Sequence, residues 1–330
     1  MSIQFEILGR PDTDNALYVE VDTGKSVSRL LFDCGEGCLA NKSFGQIQKI
    51  DQVFFSHFHM DHISGFDSLF RCVYGREQPI EFWGPANASS ILQHRFQGFW
   101  WNLVEDQHSQ VFVNRVESST LCRFGFRLSQ GFAKSELVEE RQVDKVILDS
   151  PAFEVRVIEL NHNGPCLGYR VNEKARLNVD LDAMGTLGLT SGPWLRTVKE
   201  ENTGQIEINN QVFEIAELRN KIMVESTGDS IAYLTDFRLD AETGERLSDF
   251  IDGCSTVVCE AQYRKEDLEL AQKNFHTTTD QVSKLAAQAQ IEKLILFHLS
   301  DRYPQNEWVE MLDQARENFS NTNFADHWLQ

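Results

Sequence analysis

The sequence predicts a layered α/β fold, because strand-like and helix-like segments alternate along most of it and metal-binding residue types recur where strand-like runs end. Alternating or short apolar runs predict strands at residues 3–8, 16–21, 28–32, 51–55 and 79–85. Helix-like spacing predicts helices at residues 63–74 and 86–96, with a short helix or coil at 41–49. The first third of the chain should therefore form one sheet with helices attached.

The second half repeats this alternation after an irregular stretch. Further strands are predicted at residues 124–132, 153–160, 230–234, 256–260 and 293–297, and further helices at 280–290 and 306–319. Between residues 172 and 218 amphipathic spacing weakens, and glycines accumulate. This stretch is predicted to be a projecting insertion, because it lacks the spacing of a core element.

Residues 97–117 are rich in aromatic side chains, which favours a core or lid segment over a base-stacking platform.

Composition restricts the function classes. The formal net charge of −19 argues against a surface that binds nucleic acid by bulk attraction to phosphates. Seven cysteines without a C-x-x-C pair predict reduced thiols. The N-terminal residues lead directly into a strand pattern, and no run approaches membrane-spanning length. We therefore expect a cytoplasmic protein that does not associate with a membrane.

The densest group of metal-binding residue types is the stretch His57-Phe58-His59-Met60-Asp61-His62. It follows a predicted buried strand and precedes a predicted helix, so its side chains should project from the end of a sheet. Three imidazoles and one carboxylate within six positions supply the nitrogen and oxygen ligands that zinc or manganese uses. The alternative, a surface turn that is polar without function, does not account for this density and context.

This motif, together with Leu31-Phe32-Asp33-Cys34-Gly35-Glu36-Gly37 upstream, resembles the ribonuclease Z branch of the metallo-β-lactamase superfamily. The resemblance extends from Leu31 to Tyr303. It implies an αβ/βα sandwich, in which two mixed sheets face each other and helices lie outside. It also implies one domain over residues 1–330 with an arm-like insertion at about 171–221.

The resemblance implies a site for two divalent metal ions. By position, His57, His59 and His162 would bind one ion, and Asp61, His62 and His298 would bind the other. Asp236 would bridge the two ions. The side-chain types fit Zn²⁺ best, with Mn²⁺ as the alternative.

A second pair of motifs implies a proton donor. The segment Cys259-Glu260-Ala261 and the segment His276-Thr277-Thr278 match two further patterns of the branch. His276 is then the candidate general acid and Glu260 orients and charges its ring, although His276 as a helix cap remains an alternative. The candidate catalytic residues are Glu260, His276 and the metal ligand Asp61.

Three positions differ from the usual pattern of the branch. Thr235 stands where glycine usually precedes the bridging aspartate, Phe237 stands where threonine is usual, and Cys259 stands where histidine often precedes the glutamate. Between Val171 and Lys221 there are also six Lys or Arg against eight Asp or Glu. This insertion therefore lacks the positive excess that phosphate contacts favour.

The resemblance implies a homodimeric phosphodiesterase that cleaves the 3′ end of precursor tRNA through a metal-activated water. A hydrolase of a small phosphodiester, such as a cyclic nucleotide, is the alternative that suits the acidic insertion. A metal-binding protein without turnover is a third hypothesis, which the complete set of ligands and the candidate acid disfavour.

Overall fold

The structure, a computed structural model, describes residues 3–11, 13–24 and 26–328. The chain forms two compact units. The main unit contains the chain up to Glu173 and from Asp229 onward, and the insertion contains Lys174–Gly228. The insertion was expected at about 171–221. Its observed bounds lie later because a strand continues to Glu173 and another strand pairs within the insertion at Met223–Ser226.

The described residues form strands and helices with the following bounds. The strands are β1 (Ile3–Gly9), β2 (Asn15–Asp22), β3 (Val27–Phe32), β4 (Gln52–Phe54), β5 (Ile80–Gly84), β6 (Gln110–Glu117), β7 (Thr120–Arg127), β8 (Ser135–Gln142), β9 (Val146–Asp149), β10 (Phe153–Asn161), β11 (Pro165–Glu173), β12 (Arg176–Val179), β13 (Gln205–Ile208), β14 (Gln211–Glu214), β15 (Met223–Ser226), β16 (Ser230–Leu234), β17 (Thr256–Glu260), β18 (Lys293–Phe297) and β19 (Thr322–Asn323). The α-helices are α1 (Phe44–Ile47), α2 (Met60–Ile63), α3 (Phe66–Val73), α4 (Ala88–Phe96), α5 (Leu181–Thr186), α6 (Trp194–Glu200), α7 (Ile215–Ile222), α8 (Ala241–Ile251), α9 (Leu268–Asn274), α10 (Thr279–Gln288) and α11 (Gln305–Asn318).

Two mixed sheets form the main unit. The first sheet has the order β1-β2-β3-β4-β5-β6-β7-β8, in which neighbours from β3 to β6 are parallel and the outer pairs are antiparallel. The second sheet has the order β19-β18-β17-β16-β11-β10-β9, in which neighbours from β16 to β19 are parallel and the rest are antiparallel.

The alternation of buried side chains shows how these sheets pack. On β2, Leu17 and Val19 belong to a core that also contains second-sheet residues such as Tyr169 and Tyr233. Tyr18, between them, belongs to a separate core that the first sheet shares with α3 and α4. Side chains of α8, α10 and α11 join the core of the second sheet. Because successive side chains of a strand point to opposite faces, both sheets are covered on both sides. The predicted αβ/βα sandwich is confirmed.

Some elements differ from the sequence prediction. The helix expected at 63–74 begins at Met60 and is interrupted between α2 and α3. At the interruption the Gly65 N–H donates to the Cys34 carbonyl at 2.9 Å. A Cβ at this glycine would lie 2.2 Å from the Gly35 oxygen, so the close approach requires glycine. Outside the insertion, strands β6, β8, β9, β11 and β19 and helices α8 and α9 were not predicted. The strand expected at 124–132 ends at Arg127, because Leu128–Gln130 form a 3₁₀ turn.

The insertion has its own small core. The strands β12 and β15 pair as one antiparallel ribbon, and β13 and β14 pair as another. Helices α5, α6 and α7 bury apolar side chains, and the core consists of Met184, Leu189, Val198, Ile208, Leu218 and Ile222. Among the described residues of the whole chain, no helix combines the length and apolar character needed to cross a bilayer.

Candidate metal centre

The sequence-predicted site residues gather at the carboxyl ends of strands from both sheets. His57 follows β4, His162 follows β10, Asp236 follows β16, and His298 follows β18, while Glu260 is the last residue of β17. The carboxyl ends of neighbouring parallel strands share one edge of a sheet, which is where open α/β sheets ordinarily place ligands. The sandwich thus brings residues that are more than 200 positions apart in sequence to one edge.

Three residues at this edge leave their strands in a left-handed backbone conformation. The φ angles are 58° at Asp33 after β3, 53° at Asp236 after β16 and 54° at His298 after β18. This region is uncommon for residues other than glycine, and Asp and Asn tolerate it best. Backbone of this kind persists where surrounding contacts fix it and is concentrated at functional sites.

In the described part of the chain, the side chains form three groups with the composition of metal-ligand sets, one of which, Asp236, Glu260, His276 and His298, contains the candidate acid. The other two groups consist only of predicted metal ligands. In each group every residue offers one ligand atom, and those atoms lie within 4.8 Å of one another. One group contains His57, His59, His162 and Asp236, and the other contains Asp61, His62, Asp236 and His298. A set of four imidazole nitrogens and carboxylate oxygens is typical of sites for divalent transition metals such as zinc. Asp236 belongs to both groups, so the arrangement suits a pair of ions that share one carboxylate.

The orientation of the histidine rings fits this interpretation. Nδ1 of His62 donates to Asp33 Oδ2 at 2.8 Å, Nδ1 of His162 donates to the Phe275 carbonyl at 2.9 Å, and Nδ1 of His57 lies 3.0 Å from Ser56 Oγ. Metal-binding histidines commonly hold one ring nitrogen with such a partner and use the other for the ion. Nε2 of His57 and of His62 is buried, and neither makes a hydrogen bond of acceptable geometry among the described residues. Buried polar atoms in this state favour a ligand at the position they face.

The electrostatics of the cluster centre on Asp236. Its Oδ2 lies 3.0 Å from Nε2 of His62 and 3.2 Å from Nε2 of His57, and its Oδ1 lies 3.4 Å from Nε2 of His298. Burial opposes ionisation, but His298, His62 and His57 outweigh it and hold the pKa of Asp236 well below its usual range. Burial lowers the pKa of His162. Asp236 is thus an anion and His162 a neutral imidazole at neutral pH, the forms that bind a metal ion.

Glu260 and His276 form a pair beside the two groups. Glu260 is fully buried, its Oε2 lies 3.0 Å from Nδ1 of His276, and its Oε1 accepts the Phe237 N–H at 2.8 Å. Burial opposes a charged His276 ring, but the Glu260 carboxylate outweighs it and raises the pKa of His276 to about 9. Nε2 of the protonated ring is then available to donate a proton. The helix cap next to it is Thr278, whose hydroxyl accepts the Gln281 N–H.

Sequence reasoning missed residues that orient this site. Asp33 is fully buried and accepts the Ser56 N–H, the Ser56 hydroxyl, His62 Nδ1–H and the Tyr233 hydroxyl at 2.7, 2.7, 2.8 and 2.9 Å. Gln262 approaches Nδ1 of His298 at 3.4 Å. A carboxylate directly after an apolar strand was the available signal for Asp33, because the predicted ligands occupy the same kind of position.

Comparisons with known proteins agree with this geometry. Residues 28–177 match the sequence family described as the Beta-lactamase superfamily domain. Ribonuclease Z of Deinococcus radiodurans is 40% identical over 325 residues, which cover 98% of this chain and 98% of that protein. Ribonuclease Z of Enterococcus faecalis is 31% identical over 301 residues, which cover 88% of this chain and 83% of that protein.

Solved structures share the fold at low sequence identity. The metallo-β-lactamase fold protein YhfI from Bacillus subtilis has a TM-score of 0.57 and 16% identity, covering 98% of this chain and 96% of its own. The short form of human tRNase Z has a TM-score of 0.55 and 16% identity, with the same coverage. The strand-end site, the sandwich and the full-length identity therefore agree: the chain belongs to the ribonuclease Z family of the metallo-β-lactamase superfamily.

Proposed function

We propose that this protein is a divalent-metal-dependent endoribonuclease that cleaves the 3′ end of precursor tRNA. The observation that carries the proposal is the convergence of two metal-ligand groups on Asp236, directly beside the pair formed by His276 and Glu260. A phosphodiesterase needs both parts, because phosphorus must be made electrophilic and the leaving oxygen must receive a proton. The ribonuclease Z relatives, which match over most of their length, support the choice of substrate.

The proposed positions of the ions follow the two ligand groups. His57, His59 and His162 would hold the first ion, Asp61, His62 and His298 would hold the second, and Asp236 would be shared. The donor types favour Zn²⁺, with Mn²⁺ as the alternative. Two such ions supply Lewis-acid activation of the attacking water and stabilise negative charge on the phosphoryl group.

The residues of this chain supply proton transfer and orientation. As the bond between phosphorus and the leaving oxygen breaks, His276 donates its Nε2 proton and the leaving oxygen departs as a hydroxyl. Glu260 holds Nδ1 of His276 and keeps the ring charged, and Glu260 itself is fixed by the Phe237 N–H. Asp33 fixes the ring planes of His57 and His62. It accepts Nδ1–H of His62 directly, and it holds Ser56, whose hydroxyl lies beside Nδ1 of His57.

The charge of the insertion favours a second candidate function, hydrolysis of a small phosphodiester. The positive side chains are outnumbered there, six against eight acidic ones between residues 171 and 221. Some of them are also engaged within the insertion. Arg219 donates to the carbonyls of Val198 and Lys199 at 2.7 and 2.8 Å, and Arg196 pairs with Glu200 at 2.9 Å. A tRNA-binding role for the insertion would therefore rest on few phosphate contacts.

The deciding experiment compares two substrates on metal-replete protein over a series of salt concentrations. Precursor tRNA should be cleaved at its 3′ end, and a chromogenic phosphodiester should be hydrolysed more slowly. Removal of the segment from Gly188 to Trp194 should impair cleavage of precursor tRNA and leave the small diester unaffected, because no residue of either ligand group lies there. Intact precursor tRNA beside rapid diester turnover, unchanged by this deletion, would favour the second candidate.

We also propose that the protein is a homodimer and that it acts in the cytoplasm. Family membership supports a homodimer, which sedimentation of the purified protein would test. All seven cysteines lie in the described part of the chain and are free thiols, which supports a reducing compartment such as the cytoplasm. Fractionation of cells that express the tagged protein would test this assignment.

A further inference from the structure

The hydroxyl of Thr235 contacts the carboxylate that the two ligand groups share. Thr235 Oγ1 lies 2.9 Å from Asp236 Oδ1, and both side chains are buried, with exposures of 0% and 2%. An ionised carboxylate has no proton to give, so the hydroxyl is the donor in this hydrogen bond. In the described structure, the Thr235 hydroxyl therefore donates its one proton to Asp236.

The contact falls on one carboxylate oxygen and not on the other. Oδ2 of Asp236 faces Nε2 of His57 and Nε2 of His62, at 3.2 and 3.0 Å. Oδ1 faces Nε2 of His298 at 3.4 Å. The hydroxyl thus restrains the oxygen that faces His298, and with it the rotation of the whole carboxylate group.

The backbone around Asp236 is held independently of this hydroxyl. The Cys166 thiol donates to the carbonyls of Thr235 and Asp236 at 3.6 and 3.5 Å, and the Phe237 N–H donates to Glu260. With the backbone fixed on both sides, the remaining freedom of Asp236 is rotation of its side chain. The Thr235 hydroxyl is positioned to limit that rotation.

We propose that Thr235 is a positioning residue for the metal pair, which fixes the rotation of the Asp236 carboxylate that both ligand groups share. The proposal rests on the metal sites of the proposed function. Loss of a hydrogen bond that orients a metal ligand typically lowers metal affinity by about 10- to 100-fold. Because Asp236 belongs to both ligand groups, the loss should weaken the binding of both ions.

The test is a stepwise titration of metal-free protein with Co²⁺, followed by the absorption bands of the bound ion and by competition with a chromophoric chelator. Thr235→Val keeps the shape of the side chain and removes the hydroxyl. It should weaken both binding steps, each by about 10- to 100-fold. Thr235→Ser restores the donor and should bind both ions as the unaltered protein does.

Two controls separate positioning from loss of structure. Thr322→Val removes another fully buried hydroxyl, which donates to the Phe319 carbonyl, and should leave both binding steps unchanged. In a His298→Ala background, where the second group has lost a ligand, Thr235→Val should still weaken the remaining ion by about 10- to 100-fold, because the first group also contains Asp236. If valine is not accommodated at position 235, Thr235→Ala provides a second variant without the hydroxyl.

The outcomes distinguish this proposal from the proposed function. Unchanged binding of either ion in Thr235→Val and Thr235→Ala, or a serine variant as weak as the valine variant, would each overturn the role of Thr235. Because these measurements use no RNA, a protein that binds two ions with the expected Thr235 effect but leaves precursor tRNA intact would refute only the proposed substrate.

Discussion

Replacement of Glu260 by glutamine tests the proton donor directly. The Glu260 carboxylate accepts two donors, the Phe237 N–H and Nδ1–H of His276. A glutamine has one acceptor oxygen, so it can keep the Phe237 contact and turn its NH₂ group toward His276. That NH₂ group is compatible with a neutral ring whose Nδ1 is an acceptor, and it repels the charged ring. Glu260→Gln should therefore destabilise the protonated form of His276.

The size of the effect follows from the pKa of His276. The carboxylate raises that pKa from 6.5 to about 9 against the opposing effect of burial. With the carboxylate gone, burial dominates and the pKa should fall to about 6.5 or lower, a change of at least about two pH units. At pH 7.5 the protonated fraction then falls from nearly complete to roughly one tenth, so RNA cleavage should slow by about tenfold or more.

The sign of the pH dependence makes the effect specific. A general acid works in its protonated form, so cleavage by the unaltered protein should be lost as pH rises toward about 9. Bound dications near Asp236 and Asp61 oppose part of the carboxylate effect and shift this limb to lower pH, but the Glu260 contact persists. In Glu260→Gln the limb should move a further two or so pH units downward, and the rate should recover partly near pH 6.

The assay is a pH profile of single-turnover cleavage of precursor tRNA, with the metal content of each variant measured in parallel. A diester with a p-nitrophenolate leaving group is the internal control, because this leaving group needs little protonation. A basic limb that stays in place would refute the role of Glu260 in charging His276. Loss of an ion from the variant would instead make Glu260 a ligand, since it also lies in a third group with Asp236, His276 and His298.

The remaining predictions concern the metals, the acid and the fold. Elemental analysis of protein purified without chelator should find about two transition-metal ions per chain. The Asp236→Ala variant should lose both ions. A content near one ion per chain in the unaltered protein would contradict the shared carboxylate. His276→Ala should keep its metal but cleave precursor tRNA about 10²- to 10⁴-fold more slowly. The defect should be smaller on the p-nitrophenyl diester, and loss of metal would instead make His276 a ligand. Tyr169→Phe removes the hydroxyl that donates to the Phe55 carbonyl at 2.7 Å, a contact between the two sheets. In urea titrations of metal-free protein, the free energy of unfolding should fall by about 1–3 kcal/mol. A change below about 0.5 kcal/mol would argue against this contact.

The part of the site that lies within one turn could be predicted from its own residues. His57, His59, Asp61 and His62 stand close together between a strand and a helix, so local order alone brings their side chains to one place. His162, Asp236 and His298 carry no such local signal, and their prediction depended on a family resemblance. A single histidine after a strand acquires its role from the strand that lies beside it in the sheet, which spacing along the chain does not reveal.

The fold shows the same division between local and long-range information. Strands with an apolar face were predicted because burial imposes alternation, but all eight residues of β8 are exposed, so this edge strand has no such alternation. The break between α2 and α3 was missed for a related reason. It depends on the approach of Gly65 to the loop at Cys34 and Gly35, a contact between segments about thirty residues apart.

The hydrogen bonds that orient the ligands are the least accessible to sequence reasoning, because each depends on how the two sheets pack. Asp33 follows a strand of the first sheet, yet one of its donors is Tyr233 of the second sheet. Tyr233 can reach it only because its ring packs beside Phe32 in the core between the sheets, with centroids 5.8 Å apart. Sequence pattern identifies the atoms that can bind a metal, whereas packing decides which ring nitrogen is left free to bind it. Core substitutions at Phe32 or Tyr233 should therefore change the position of Asp33 and of the His62 ring as well as stability.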